Sequence, residues 1–219
     1  MPRTGEIARV LNSRGQENYR RRSQKYVSAG GIVHGARLER VDKSSKKVDT
    51  WSWFHNPFVG TREFNGLRVM MSLMNNWDLK ESNNAIYDVR GRERRYVVSD
   101  LGACFGRTGS SWTRSKGNLK DYLESKFIDE TTPTNVDLVL HSRPPVLYAV
   151  AFPYYRDRTR MSKVADDIPR AHARWIGQWL ARLSHEQIAD AFEAAGYSPG
   201  ETNAYARKVR SRINQLNEL

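Results

Sequence analysis

Asn75-Asn76-Trp77-Asp78-Leu79-Lys80-Glu81-Ser82-Asn83-Asn84, followed after a polar turn by Tyr96-Val97-Val98-Ser99-Asp100-Leu101-Gly102, decides the fold of this chain. Asp78, Lys80 and Asn83 put an acid, a cation and a carboxamide into one short loop. Ala85-Ile86-Tyr87 and Tyr96-Val97-Val98 flank the polar stretch D-V-R-G-R-E-R-R, a pattern that predicts a hairpin. Such a hairpin brings Asn83 and Asp100 to the same edge. Convergent oxygen ligands are what a hard cation such as magnesium requires. Asn83 is the candidate amide ligand, with Asn84, next to it, kept as the alternative.

Working upstream, Thr61 is placed to cap a helix in which Phe64, Leu67, Met70, Met71, Met74 and Trp77 recur at three- and four-residue steps. This apolar face predicts a buried helix that delivers Asn75 to Asp78 at its C-terminal end. Before it, Trp51, Trp53, Phe54 and Phe58 form an aromatic cluster broken by Asn56-Pro57, where the proline favours an extended loop. Downstream, Ala103 to Ser111 is small and Gly/Ser-rich, which suits a mobile loop. Cys104 within it reads as a small buried residue. Asn118 to Tyr122 starts a short helix and Val136 to Leu140 is a strand. Val146 to Phe152 is an apolar run compatible with either state.

The C-terminal part has the clearest signals. Ile168-Pro169 opens a helix whose Trp175, Ile176, Trp179, Leu180 and Leu183 share a face. Ser184-His185-Glu186-Gln187 and Ser198-Pro199-Gly200-Glu201 are capping boxes for two further helices.

D-L-x-x-x-N followed by S-D-L-G resembles the catalytic and metal-binding loops of the protein-kinase-like superfamily. The span Trp51 to Leu219 is also similar to a group of bacterial kinase-like proteins with some HipA-like character. The resemblance implies a kinase-like C-terminal lobe with ATP and magnesium as cofactors and a hydroxyl-bearing substrate. Asp78 would serve as base, Lys80 would face the phosphoryl group, and Asn83 (or Asn84) and Asp100 would hold the metal and nucleotide. Departures are present: Asn76-Trp77 stands where kinases have His-Arg, and Leu101 replaces the D-F-G phenylalanine. No V-A-I-K lysine, paired helix glutamate or Gly-rich loop is found. The expectation is therefore an α/β (α+β), mainly helical chain with a kinase-like C-terminal lobe over 51–219, residues 1–50 being read as a remnant of an N-terminal lobe whose main part is missing; a kinase-like binding domain that has lost catalysis is the nearest alternative.

Residues 1–50 read as a basic arm and a short hairpin. The segment 6–25 is a candidate helix with Arg20-Arg21-Arg22 in its polar part. Tyr26 to Gly35 reads as two short strands around a glycine turn, and Asp42 to Asp49 as a loop. With 36 Lys and Arg against 24 Asp and Glu, the net charge of +12 favours polyanionic partners. A second function class follows from this charge: a helical nucleic-acid binder using Arg207, Lys208, Arg210 and Arg212. One cysteine excludes an internal disulfide framework. No long apolar run predicts a membrane span, and a cytoplasmic setting is the default.

Overall fold

The structure, a computed structural model of the chain, describes residues 45–109, 114–140 and 152–219, all within the unit Ser44–Leu219. The arm, the 6–25 helix and the 26–35 hairpin lie outside the described residues, as does nearly all of the 146–152 run. Among the described residues, six helices and two small antiparallel three-stranded sheets make a mixed α+β fold. In chain order these are β1 Ser45–Asp49, α1 Arg62–Leu73, β2 Asn84–Val89, β3 Glu93–Val98, α2 Leu119–Glu124, β4 Ile128–Thr131, β5 Asn135–Leu138, α3 Phe152–Ser162, β6 Ile168–Pro169, α4 Arg170–Ala181, α5 His185–Ala194 and α6 Pro199–Asn217. No helix among them is long and apolar enough to cross a membrane.

The expected hairpin forms as β2 and β3, with Asn84 opposite Val98 and Ile86 opposite Tyr96. One expectation fails beside it. Ser45 to Asp49 is a strand, paired antiparallel to β2, and not a loop. Its sequence S-K-K-V-D looks like a loop because the strand is an exposed edge, where lysines discourage further pairing. The folded unit therefore begins ahead of the boundary suggested by the change of texture at Trp51.

Helix α1 starts at Thr61, whose hydroxyl accepts the Phe64 N–H at 3.3 Å. Phe64, Val69, Met71 and Leu73 are buried, and so are Asn65, Gly66 and Ser72, so nearly the whole circumference is covered. It ends in a Schellman motif: Asn75 N–H donates to Ser72 O at 3.0 Å and Asn76 N–H to Met71 O at 2.9 Å. Asn75 takes φ +53°, the left-handed conformation that asparagine tolerates best after glycine.

The expected C-terminal helices form α4 to α6. Ser184 and Gln187 exchange both capping-box bonds, at 2.8 and 3.1 Å. The Glu201 carboxylate accepts from the Ser198 N–H at 3.0 Å. The buried face of α4 is rotated from expectation. Ala173 and Gly177 are buried, whereas Trp179 and Leu183 are 53% and 41% exposed. Small residues face inward because α6 crosses closely there: a Cβ on Gly177 would lie 2.7 Å from the Leu216 Cβ. Trp179 instead lies under the Arg182 guanidinium, 4.7 Å from the ring centroid.

Candidate functional site

The loop from Asp78 to Asn83 is held by its own asparagine. Asn83 Nδ2 donates to the Asp78 main-chain carbonyl at 3.0 Å, closing the loop across five residues. Lys80 Nζ lies 3.1 Å from Asp78 Oδ1, with Lys80 largely exposed and Asp78 mostly covered. An ion pair of this exposure contributes about 0–1 kcal/mol, so Lys80 exchanges partners at small cost.

The hairpin brings Asp100 back beside this loop. Ser99 N–H and Oγ donate to the Asn83 carbonyl at 2.8 and 2.5 Å, which sets the next residue, Asp100, against the loop end. Asp100 Oδ1 accepts the Gly102 N–H at 3.0 Å, an Asx-type turn that fixes the carboxylate.

Asn76 joins the two. Its side chain is fully buried; the amide oxygen accepts the Asp78 N–H at 3.3 Å, and the amide nitrogen approaches the Asp100 carbonyl at 3.5 Å. The spacing of residues offered no signal for this role beyond the position of Asn76, two residues before the acid. Trp77 is also engaged: its Nε1–H donates to Ser115 O at 2.8 Å, and the Arg114 guanidinium lies 4.2 Å from its ring centroid.

Asn84 is set apart from this arrangement. It is fully buried, Nδ2 donates to Trp51 O at 3.0 Å, and Oδ1 has no protein partner. Of the two asparagines, Asn83 is the one built into the loop. Lys80 pairs with Asp78, Asn83 is bonded to the Asp78 carbonyl, and Ser99, the residue before Asp100, is bonded to the Asn83 carbonyl; Asn84 is bonded to Trp51 instead.

The segment after Gly102 also departs from expectation, because the part before residue 110 is well tied. Phe105 N–H donates to Met74 O at 2.7 Å, and Phe105 O accepts Asn118 N–H at 2.9 Å. Phe105 itself packs on Tyr122, Phe192 and Tyr205, with ring centroids 5.0–5.9 Å apart. Cys104 is buried, as expected. Burial first, and the Asp100 charge second, push its thiol up to about 12.

The basic set on α6 is largely engaged within the fold. Lys208 Nζ donates to Leu123 O at 2.6 Å, and Arg210 donates to the Ala181 and Leu183 carbonyls. Arg212 is fully buried: it donates to Ser72 O, Leu73 O and Asn75 Oδ1 at 3.1, 2.7 and 2.9 Å. It also donates to Ser125 Oγ at 2.7 Å. A run read as a polyanion-binding face is in large part a set of donors to carbonyl oxygens. Of the two histidines on these helices, His172 is bonded to Asn65 and His185 to Asn203.

Asp100 and Asn83 offer one carboxylate and one amide oxygen, ligand types that magnesium accepts alongside water and phosphate oxygens, and they are the residues that would hold it. Among the described residues no three His, Cys, Asp or Glu side chains cluster. Comparison with family models, curated proteins and solved structures gives no match to this chain.

Proposed function

We propose that the unit Ser44–Leu219 is the C-terminal lobe of a kinase-like phosphotransferase that moves the γ-phosphoryl group of ATP to a hydroxyl. One observation carries this: Asn83 closes the Asp78 loop while Ser99 fastens Asp100 to the same residue. These bonds support a reading in which acid, cation, amide and second acid act together within 23 residues of sequence, Asp78 to Asp100. When bound at Asp100 and Asn83, magnesium supplies charge neutralisation on the nucleotide phosphates.

The remaining work belongs to the chain. Asp78, whose main chain is held by Asn76 and Asn83, accepts the proton of the incoming hydroxyl. Lys80 leaves its weak pair with Asp78 and offset the negative charge on the transferring group. Loops anchored on a buried helix hold this geometry better than free loops.

The test is titration of ATP with and without magnesium on the full chain, with Asp100→Asn and Arg207→Ala compared. Magnesium-dependent ATP binding is expected, weakened at least tenfold by Asp100→Asn and unchanged by Arg207→Ala. Binding that ignores both magnesium and Asp100→Asn would remove the phosphotransferase assignment.

A further inference from the structure

We propose that the β1–β2–β3 sheet binds single-stranded nucleic acid, with a base laid on Tyr87 and the sugar–phosphate chain held by Lys47, Arg90 and Arg92. The proposal concerns a different face of the molecule from the Asp78 loop and does not rest on the phosphotransferase reading.

The positive charge of the chain is not expressed on α6, where Lys208, Arg210 and Arg212 donate to carbonyls inside the fold. It gathers on this sheet. Strand β1 and the β2–β3 hairpin carry Lys46, Lys47, Arg90, Arg92, Arg94 and Arg95 against Asp49, Asp88 and Glu93. The three acids are engaged close to home. Glu93 Oε1 takes Arg95 at 2.7 Å, Asp88 Oδ1 accepts the Gly91 N–H at 2.7 Å, and Asp49 Oδ1 accepts the Thr50 N–H at 2.7 Å. Lys46, Lys47, Arg90, Arg92 and Arg94 are exposed, and none of them forms an ion pair among the described residues. Five unpaired cations on one small sheet make a field that attracts a polyanion.

An aromatic ring among the cations selects the polyanion. Lys47 pairs with Tyr87 and Tyr87 with Arg95, so cation, aromatic and cation form one row across three strands. Directly opposite side chains share a face with Cβ atoms about 5 Å apart. This is the face away from the core, because the next residue, Ile86, is buried and Tyr96 opposite it packs on Phe58 at 4.9 Å. Tyr87 is half-buried, stands outside the hydrophobic core, and has no hydrogen-bond or ring partner among the described residues. A nucleobase offers such a ring a flat face while its phosphates meet the flanking cations. A duplex keeps its bases stacked on one another and leaves the ring unused. An anionic membrane would be met by charge alone, since the turn Arg90-Gly91-Arg92 carries no apolar side chain to insert.

The turn is set before any ligand arrives. Arg90 and Gly91 take φ +56° and +68°, and the Arg92 N–H donates to Val89 O at 3.1 Å. With the Asp88 carboxylate bonded to Gly91, the two arginines sit on a fixed main chain, which limits the order lost on binding.

The test is fluorescence anisotropy on the full chain with labelled oligothymidylate and oligouridylate of about 12 nucleotides. The comparison probes are an abasic strand of the same length, the matching duplex, and vesicles of phosphatidylserine and phosphatidylcholine. Strands that carry bases are expected to bind about tenfold more tightly than the abasic strand or the duplex. Tyr87→Ala should remove that advantage and leave the abasic strand as it was, whereas Tyr87→Phe should keep it. Arg90→Gln combined with Arg92→Gln should weaken every nucleic-acid probe and lower the slope of log K against log salt by about 1.4. Those two positions are exposed at the turn and keep Gly91, so they report even if Tyr87→Ala fails to fold. Binding of the abasic strand, the duplex or the vesicles as tightly as the base-bearing strands overturns the proposal. So does a Tyr87→Ala variant with unchanged affinity, or no binding of any strand.

Discussion

Replacing Arg212 by methionine should cost about 2–4 kcal/mol of folding stability, out of the ~5–15 kcal/mol a domain has. Methionine keeps an unbranched apolar stem against Tyr122 and Phe127, whose ring centroids lie 4.5 and 5.1 Å from the guanidinium. What disappears is the donor set. Leu73 O retains the Tyr122 hydroxyl at 2.7 Å, and Ser72 O retains the Asn75 N–H at 3.0 Å. Asn75 Oδ1 loses the donor that holds it, at a cost of ~1–3 kcal/mol for a stranded buried acceptor. The lost charge-assisted bonds to the C-terminal carbonyls of α1 add ~1–2 kcal/mol, including the helix-dipole contribution. Relief from burying a cation subtracts part of this, because burial is the first cause holding the Arg212 guanidinium below its ordinary pKa. Urea unfolding followed by tryptophan fluorescence should show a lower midpoint at unchanged slope. Arg212→Lys should fall between the two, since an ammonium cannot span the same acceptors. A methionine variant within ~0.5 kcal/mol of the parent would refute the account of Arg212 as the clamp on the end of α1.

Two further outcomes follow from close packing and burial. Gly106→Ala should destabilise by about 3 kcal/mol, measured by the same urea titration, since its Cβ would lie 2.3 Å from Ser115 O, main chain that cannot swing away. Cys104, with its thiol pushed up to about 12, should resist a disulfide reagent at pH 8 in the native state and react promptly in denaturant. Because the folded value is raised, the stability tied to the neutral thiol is whole below about pH 8.5 and is lost as pH climbs towards about 12. Stability measured across that range should decline, and Cys104→Ala should flatten the decline.

The hairpin, the cap at Thr61, the capping box at Ser184 and the strand at Val136 were legible because each is encoded within a few residues. Alternation, a hydroxyl before an apolar period and a Ser-x-x-Gln spacing are local signals. The α4 face was misjudged for a tertiary reason: what selects its inward side is the room beside Leu216, which favours Gly177 and Ala173 over larger apolar neighbours. Ser45 to Asp49 looked like a loop because an edge strand needs no apolar face. Arg212 looked solvated because nothing near it in sequence announces the carbonyls of a helix about 140 positions earlier. In the candidate site, Asp78, Lys80, Asn83 and Asp100 followed from the resemblance, whereas Asn76 did not. Its importance lies in two weak bonds to main-chain atoms on either side.

Asn76 couples two loops through one side chain. Its buried carboxamide reaches the amide of Asp78 at 3.3 Å and the carbonyl of Asp100 at 3.5 Å, so moving either loop alone costs one weak bond. The neighbouring Trp77 indole donates to Ser115 O and so links the same short stretch to the segment beyond Gly102. A single substitution at Asn76 therefore reaches both loops at once, whereas one at Trp77 reaches them only through the main chain between.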